Sequence, residues 1–495
     1  MSRRTFLKGL GLAPSTLLIP RWVMAAQAKN PLQIPPRLDG VASEKGKSYS
    51  LRAQAGTREF IAGLRTPTLG INQDYLGPTV FLRRGEDVEL NVSNTLKEQT
   101  TLHWHGLHVP AKADGGPAQI IEPGTTWSPN FNVNQNAGTF WYHSHLLHKT
   151  GEQVYRGLAG LIILEDEKSD MLDLPKNYGV DDIPLIVQDK RFNSDGSLAY
   201  VGSPRDVMMG FFGDKTLVNG TLDPVFRPTT QRVRFRLLNA ANARSFTFAF
   251  DDQREFQLVA TDGGFIEKTV SCSSLVLGPS ERAEIVVDFN DASPCKLISL
   301  PLGSPFAARG MMGRMQAGNN ARSELLTIEP AAKLEQSPAL PTELTTLSPL
   351  NPRDAATTRK LTLSMAMGMG MMGGRGRRGG GGGGNFFING QAMDMSVINY
   401  RVKKDTTEIW EITNDTMMMH PFHIHHSQFQ ILDRDGLAPE AHERGLKDTV
   451  KVGPGETVRF IMRFENYADP NTSYMYHCHI LEHEDNGMMG QFTVE

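Results

Sequence analysis

Cysteine is scarce in this chain: 495 residues contain three, Cys272, Cys295 and Cys478. Long apolar runs are lacking too. The longest near the N-terminus, Gly9 to Ile19, is broken by Pro14 and closed by Pro20 and Arg21, well short of the roughly 20 residues that cross a bilayer. No other segment approaches that length, which excludes a helical membrane anchor. An excess of one charge is also missing, since 51 Lys and Arg stand against 54 Asp and Glu for a net charge of −3. Nothing in that balance calls for nucleic acid or an anionic membrane as partner. Extended amphipathic helix patterns are few, so the body is not a helical bundle.

What is present points to strands. Short β-branched and aromatic runs such as Val80-Phe81-Leu82 and Val88-Glu89-Leu90-Asn91-Val92 alternate with Gly, Pro, Asn and Asp, the mark of all-β sandwiches. With 39% hydrophobic residues, the length suits about three domains of roughly 150 residues each. At the start, Arg3-Arg4 leads through the modest apolar run to small residues around Ala25 to Ala28. That pattern reads as a twin-arginine export signal over residues 1–28. It implies handling by the twin-arginine machinery and a mature chain, starting near Lys29, that lies soluble in the periplasm. In such an oxidising compartment Cys272 and Cys295, which flank the apolar run Leu275 to Phe289, could either pair or stay free.

Metal-ligand residue types are concentrated. Ten of the fourteen histidines fall in four short motifs, and the densest stretch runs from Tyr476 to Met489. A strand alternates its side chains between two faces, so His477 and His479 point one way and Cys478 the other. One strand can thus serve two metal sites. A blue-copper site takes a Cys thiolate, two His and a weak axial Met; Cys478, His483 and Met488 supply three of these at successive spacings of five. The second histidine must come from elsewhere.

Internal repetition organises the rest. The strand Val88 to Asn94 matches Glu408 to Asn414, and counting nine and eleven residues from each Asn reaches His103 and His105, or His423 and His425. Each copy then has a Pro-Gly pair, Pro123-Gly124 or Pro454-Gly455, and a Tyr-His-x-His, ending at His143 and His145 or at His477 and His479. A middle copy, Arg234 to Asn239 followed by Gly278-Pro279, lacks the histidines. Three sandwiches are therefore expected, with metal in the outer two. If those two face each other, eight imidazoles can hold three coppers, counted as three, three and two. His420 breaks the symmetry, because Thr100 occupies its position in the first copy; it is the missing second histidine for Cys478. His108, His148, His426 and His442 read as solvated or hydrogen-bonded loop residues.

His103-Trp-His105-Gly, His143-Ser-His145, His420-Pro-Phe-His423-Ile-His425 and the His477-Cys-His479 stretch resemble the four copper-binding signatures of the multicopper oxidases, the laccase-like family. The resemblance implies three cupredoxin-like Greek-key sandwiches and four coppers. A type 1 ion would sit at His420, Cys478, His483 and Met488, and a type 2 ion at His103 and His423. Of the type 3 pair, one ion would take His105, His143 and His479, the other His145, His425 and His477. Four one-electron carriers match the four electrons that turn dioxygen into water, with Cys478 relaying charge to its neighbours. By resemblance Asp114 and Glu484 are the acids for proton delivery; otherwise each is an ordinary carboxylate.

Clustered methionines suggest the reductant. Met365, Met367, Met369, Met371 and Met372 fall in one Gly-interrupted segment, and Met417 to Met419 immediately precede His420. Thioether sulfur prefers Cu(I). The layout is similar to the copper efflux oxidase type, which implies Met365, Met418 and, by a one-residue shift, Asp415 as substrate Cu(I) ligands; Thr416 and Gly370 stand where that type carries acids. The resulting map is a signal over 1–28, domains over 45–168, 180–330 (without copper ligands) and 357–495, and a Met/Gly-rich insertion over 365–384. Pro31 to Pro36 and Pro338 to Pro352 read as straps between domains. The expected protein is a monomeric oxidase of Cu(I), and of phenols, with dioxygen as acceptor. The alternatives are a general laccase and a non-catalytic copper-binding or structural protein on the same scaffold.

Overall fold

A computed structural model of the chain describes residues 30–310, 313, 320–366 and 386–495. The expected export signal, Gly370 and Met367, Met369, Met371 and Met372 lie outside the described residues. Six sheets pair face to face into three sandwiches, the all-β architecture that the strand pattern predicts. The first packs a sheet centred on Gly46–Ile61 and Asp87–Asn94 against one containing Ala159–Glu165, Gly138–His143 and His103–His105. In the third, Ala355–Met365, Thr406–Asn414 and Thr457–Phe464 face Met489–Val494, Asp469–Cys478, His420–Ile424 and Thr449–Val452.

Alternation produces these layers. Along Asp87–Asn94, Val88, Leu90 and Val92 are buried while Asp87, Glu89, Asn91 and Ser93 face outward, a period of two that lets one face join the core. Each such side chain contributes about 1.5–3 kcal/mol on full burial. The same alternation buries Trp410 and Ile412 of Thr406–Asn414.

The repeat has a physical cause at its asparagines. Asn94 donates its amide to the Ile121 carbonyl at 2.8 Å, accepts from the Leu96 N–H at 2.9 Å, and takes the Gly124 N–H on its own carbonyl at 2.8 Å. Asn239 makes the same three bonds with Leu277, Ala241 and Ser280 at 2.9, 3.1 and 2.8 Å. Asn414 makes them with Val452, Thr416 and Gly455 at 2.9, 3.0 and 3.0 Å. Only a side chain with both a donor and an acceptor can close this corner, so the residue recurs in all three sandwiches.

Both proline-rich stretches bridge sandwiches. Asn30–Pro31 pairs with Pro224 and Val225 of the middle sandwich, while Arg37–Asp39 pairs with Thr79 to Phe81 of the first. Leu344 donates to Glu267 of the middle sandwich, and Leu350 to Gln430 of the third. The option of a Cys272–Cys295 disulfide is not taken. Cys272 ends a strand of the seven-stranded sheet, Cys295 opens one in the facing six-stranded sheet, and both thiols are free. Burial pushes the Cys295 thiol up to about 12. No helix among the described residues is long and apolar enough to cross a membrane.

Candidate metal centre

Cys478 closes the strand Asp469–Cys478 and is paired with Phe422, so its sulfur points into the third sandwich's core, away from His477. His420 Nδ1 lies 3.3 Å from the sulfur and His483 Nδ1 3.9 Å from it, and the two nitrogens are 3.4 Å apart. Both rings present Nδ1 because their other nitrogens are occupied. His420 donates Nε2–H to Thr416 Oγ1 at 2.9 Å, and His483 donates Nε2–H to the Met208 carbonyl at 3.2 Å. Met488 is tied to the same turn by the bonds Cys478 N–H to Met488 carbonyl and Met488 N–H to His483 carbonyl, at 3.0 and 2.9 Å. Its side chain is buried beside Cys478. The Ile480 N–H donates to the sulfur at 3.4 Å.

On the other face of the strand, the eight remaining motif histidines meet between the first and third sandwiches. His103 lies across from His143 in one sheet, and His423 across from His477 in another. Rings from the two halves then interleave: His103 stacks on His425 at 3.9 Å between centroids, and His105 on His423 at 3.7 Å. Two trios, His105, His143 and His479, and His145, His425 and His477, each bring their ligand atoms within 4.8 Å of one another.

The donor chemistry fits bound copper. His425 donates Nδ1–H to Asp114 Oδ2 at 2.8 Å, and His477 donates Nδ1–H to the Cys478 carbonyl at 3.0 Å. His145 Nδ1 is 3.3 Å from Glu484 Oε1, and His477 Nδ1 is 3.1 Å from Glu484 Oε2. With those protons committed outward, the three Nε2 lone pairs face each other, His145 and His425 lying 3.2 and 3.3 Å from His477. Converging lone pairs repel unless a cation lies between them. His103 and His423 donate Nδ1–H to the carbonyls of Asp114 and Asp448, both at 2.8 Å, and their Nε2 atoms are buried without any hydrogen-bond partner. Both ring nitrogens of His479 are likewise unpartnered. Burial pushes His143 down to about 3 and His145 to about 4, so those two rings are neutral near pH 7, the form that binds metal.

The two expected acids flank this cluster with opposite character. Burial pushes the Asp114 carboxyl well above its usual range. Burial acts the same way on Glu484, but His145 and His477 outweigh it and hold that carboxyl down at about 2. Of the expected Cu(I) ligands, Met418 is buried within the core that contains Cys478, Met365 packs against that core, and Asp415 is exposed.

Sequence reasoning missed Asp448 and noted Thr416 only as standing where an acid was expected, yet both hydrogen-bond candidate ligands without resembling any motif. Asp448 accepts the Nε2–H of His105 at 3.1 Å, leaving His105 to present Nδ1, 3.4 Å from His143 Nε2. Only the spacing from Thr416 to His420, one short turn, hinted at such a role. His148 is a hydrogen-bonded loop residue as expected, bonding the Asp485 carbonyl at 2.7 Å. His426 also lies in a loop, between His420–Ile424 and Phe429–Arg434, but it is buried there rather than solvated, its ring stacked on Tyr474 with centroids 4.6 Å apart.

Comparison with known proteins follows the same lines. Three family profiles described as multicopper oxidase match residues 52–169, 201–295 and 363–495. The chain is 37% identical over 476 residues to multicopper oxidase mco of Staphylococcus aureus, covering 95% of this chain and 94% of that protein. It is 34% identical over 505 residues to cell division protein FtsP of Escherichia coli (strain K12), covering 100% and 99% of the two chains. Among solved structures it is similar to the laccase-like multi-copper oxidase CueO from Ochrobactrum sp., with a TM-score of 0.83, 34% identity and coverage of 94% and 100%. With two metal-ligand nests at the expected motifs and these matches along nearly its whole length, the chain belongs to the multicopper oxidase family.

Proposed function

We propose that this protein oxidises Cu(I), and phenolic donors, one electron at a time and passes the electrons to dioxygen with water as product, which would protect the periplasm from copper. The ligand sets are His420, Cys478, His483 and Met488 for type 1, His103 and His423 for type 2, and the two histidine trios for type 3. Bound there, copper supplies one-electron redox chemistry and open positions for dioxygen.

The chain does the rest. Cys478 is joined by single peptide units to His477 and His479, so one strand links the thiol side to the cluster side. Asp114, whose carboxyl is pushed up by burial, accepts from His425 and would hold and release a proton there. Glu484 stays a carboxylate between His145 and His477.

The observation that carries the cuprous assignment is methionine at the type 1 entrance. Met418 and Met419 line a cavity of about 80 Å³ with Ile480, whose N–H reaches Cys478. Met417 is 43% exposed beside it. Thioether sulfur favours the cuprous ion, and Asp415 is exposed next to this rim. Oxygen uptake with Cu(I) and with a bulky phenol, measured on the full chain, on Met418→Leu and on a deletion of residues 365–384, tests the assignment. Loss of Cu(I) turnover alone supports it; equal loss of both substrates counts against it.

A second reading, a non-catalytic role in cell division, is motivated by the full-length similarity to cell division protein FtsP. A chain that had become structural is expected to have lost ligands, and none of the twelve is lost here. Copper-loaded protein that consumes no oxygen with either donor would favour that second reading.

A further inference from the structure

The middle sandwich supplies no copper ligand, yet one of its side chains reaches the cluster's supports. Arg282, on the strand Arg282–Asp288, is buried to 1% exposure at the meeting point of all three sandwiches. All five of its N–H groups are used. Nε donates to the Thr139 carbonyl of the first sandwich at 3.1 Å. Nη1 donates to the Ser280 carbonyl and to Asp448 Oδ1, at 3.1 and 2.8 Å. Nη2 donates to the Asp262 carbonyl at 2.9 Å and to Asp448 Oδ2 at 2.5 Å. Asp448, of the third sandwich, in turn accepts from His105 Nε2 on its carboxylate and from His423 Nδ1 on its carbonyl.

We propose that Arg282 is a positioning residue for the part of the cluster where the type 2 ligand His423 meets the type 3 ligand His105: by clamping Asp448 against Thr139, it sets the orientations of both rings across three sandwiches. The clamp has space reserved for it. A Cβ on Gly106, the residue after His105, would lie 2.4 Å from Asp448 Oδ2 and 2.9 Å from Arg282 Nη2, and Gly106 has φ +87°. A buried ion pair is weak evidence for stability by itself, because desolvation offsets the attraction. The neighbouring pairs Glu281–Lys451 and Asp262–Lys447, at 2.6 and 2.7 Å, already join the same two sandwiches and touch no copper histidine. Lysine cannot replace the clamp, since three donors on a point charge do not reproduce the planar fork.

This inference rests on the copper assignment above, and its test separates the two. Full-length, copper-loaded wild type, Arg282→Lys, Arg282→Gln and the control Lys451→Met are compared by copper content, type 2 EPR signal and blue type 1 absorbance. Both Arg282 variants are expected to keep the blue band while type 2 copper affinity falls by roughly tenfold or more, as for other residues that orient metal ligands. Lys451→Met is expected to match wild type. An unchanged type 2 signal in Arg282→Lys, or in a folded Arg282→Gln, overturns the role, as does an equal loss in Lys451→Met. A wild type that is blue but has no type 2 signal would instead sink the copper assignment, and this role with it.

Discussion

Replacing Thr416 by Val tests how a residue outside the ligand set controls the proposed type 1 site. Val has nearly the same shape but no acceptor for the His420 Nε2–H, which Thr416 Oγ1 takes at 2.9 Å. Thr416 Oγ1 itself donates to the Met418 carbonyl at 3.0 Å, so its lone pair is free for the ring. His420 is fully buried, and among the described residues Thr416 is the only acceptor at that nitrogen. Without copper, the variant's ring can move its proton to Nδ1, facing Cys478 Sγ at 3.3 Å. Binding copper at Nδ1 forces the proton back to an unpartnered Nε2, so the full cost falls on metal affinity. An orphaned buried N–H costs about 1–3 kcal/mol, which is about 5- to 150-fold in affinity. Chelator competition followed by the blue thiolate band should show Thr416→Val losing type 1 copper at correspondingly lower chelator concentration, and Thr416→Ser restoring most of the loss. An unchanged midpoint in Thr416→Val would refute the idea that this hydroxyl dictates the tautomer.

Three further outcomes are expected. Cys478→Ser should bleach the blue colour and stop oxygen uptake while leaving the type 2 EPR signal; a variant that stays blue would remove Cys478 from the site. Glu284 is buried, which pushes its carboxyl up, but Arg234 and Arg236 outweigh burial and hold it at about 2 against an ordinary 4.5. Its folded value is depressed, so the stability it contributes is present above pH 4.5 and is lost as pH falls toward 2. At about 1.4 kcal/mol per unit, that is on the order of 3 kcal/mol. Denaturant unfolding should therefore show the deficit of Glu284→Gln shrinking by that amount between pH 5 and pH 2, and a constant deficit would refute the linkage. Finally, copper-free protein unfolded without reductant should label at Cys272, Cys295 and Cys478 alike, since all three thiols are free; labelling at Cys478 alone would mean that the other two are bridged.

The sequence by itself determined which residues could carry the chemistry. Ligand types, their two-residue alternation and the repeated spacing from Asn94 and Asn414 were legible because a strand's period is fixed by its backbone, and the same asparagine corner recurs in each sandwich. His420 was legible as the one histidine of the His420–His425 motif without a counterpart in the first copy. Tertiary structure decided the rest, because those features depend on partners more than 300 residues away or on atoms that carry no motif. Cys272 and Cys295 flank one apolar run, yet they lie in facing sheets, and spacing along the chain cannot distinguish neighbours within a sheet from residues on opposite sheets. His426 is a loop histidine as it looked, but its burial against Tyr474 is a tertiary contact that the sequence does not show. Which ring nitrogen faces the metal was invisible for every histidine: His105 presents Nδ1 because Asp448 takes its other proton, whereas His103 and His423 present Nε2 because backbone carbonyls take theirs. A tautomer is set by the hydrogen bond on the far side of the ring, and that bond forms only on folding, within one sandwich for His103 and His423 and between two for His105.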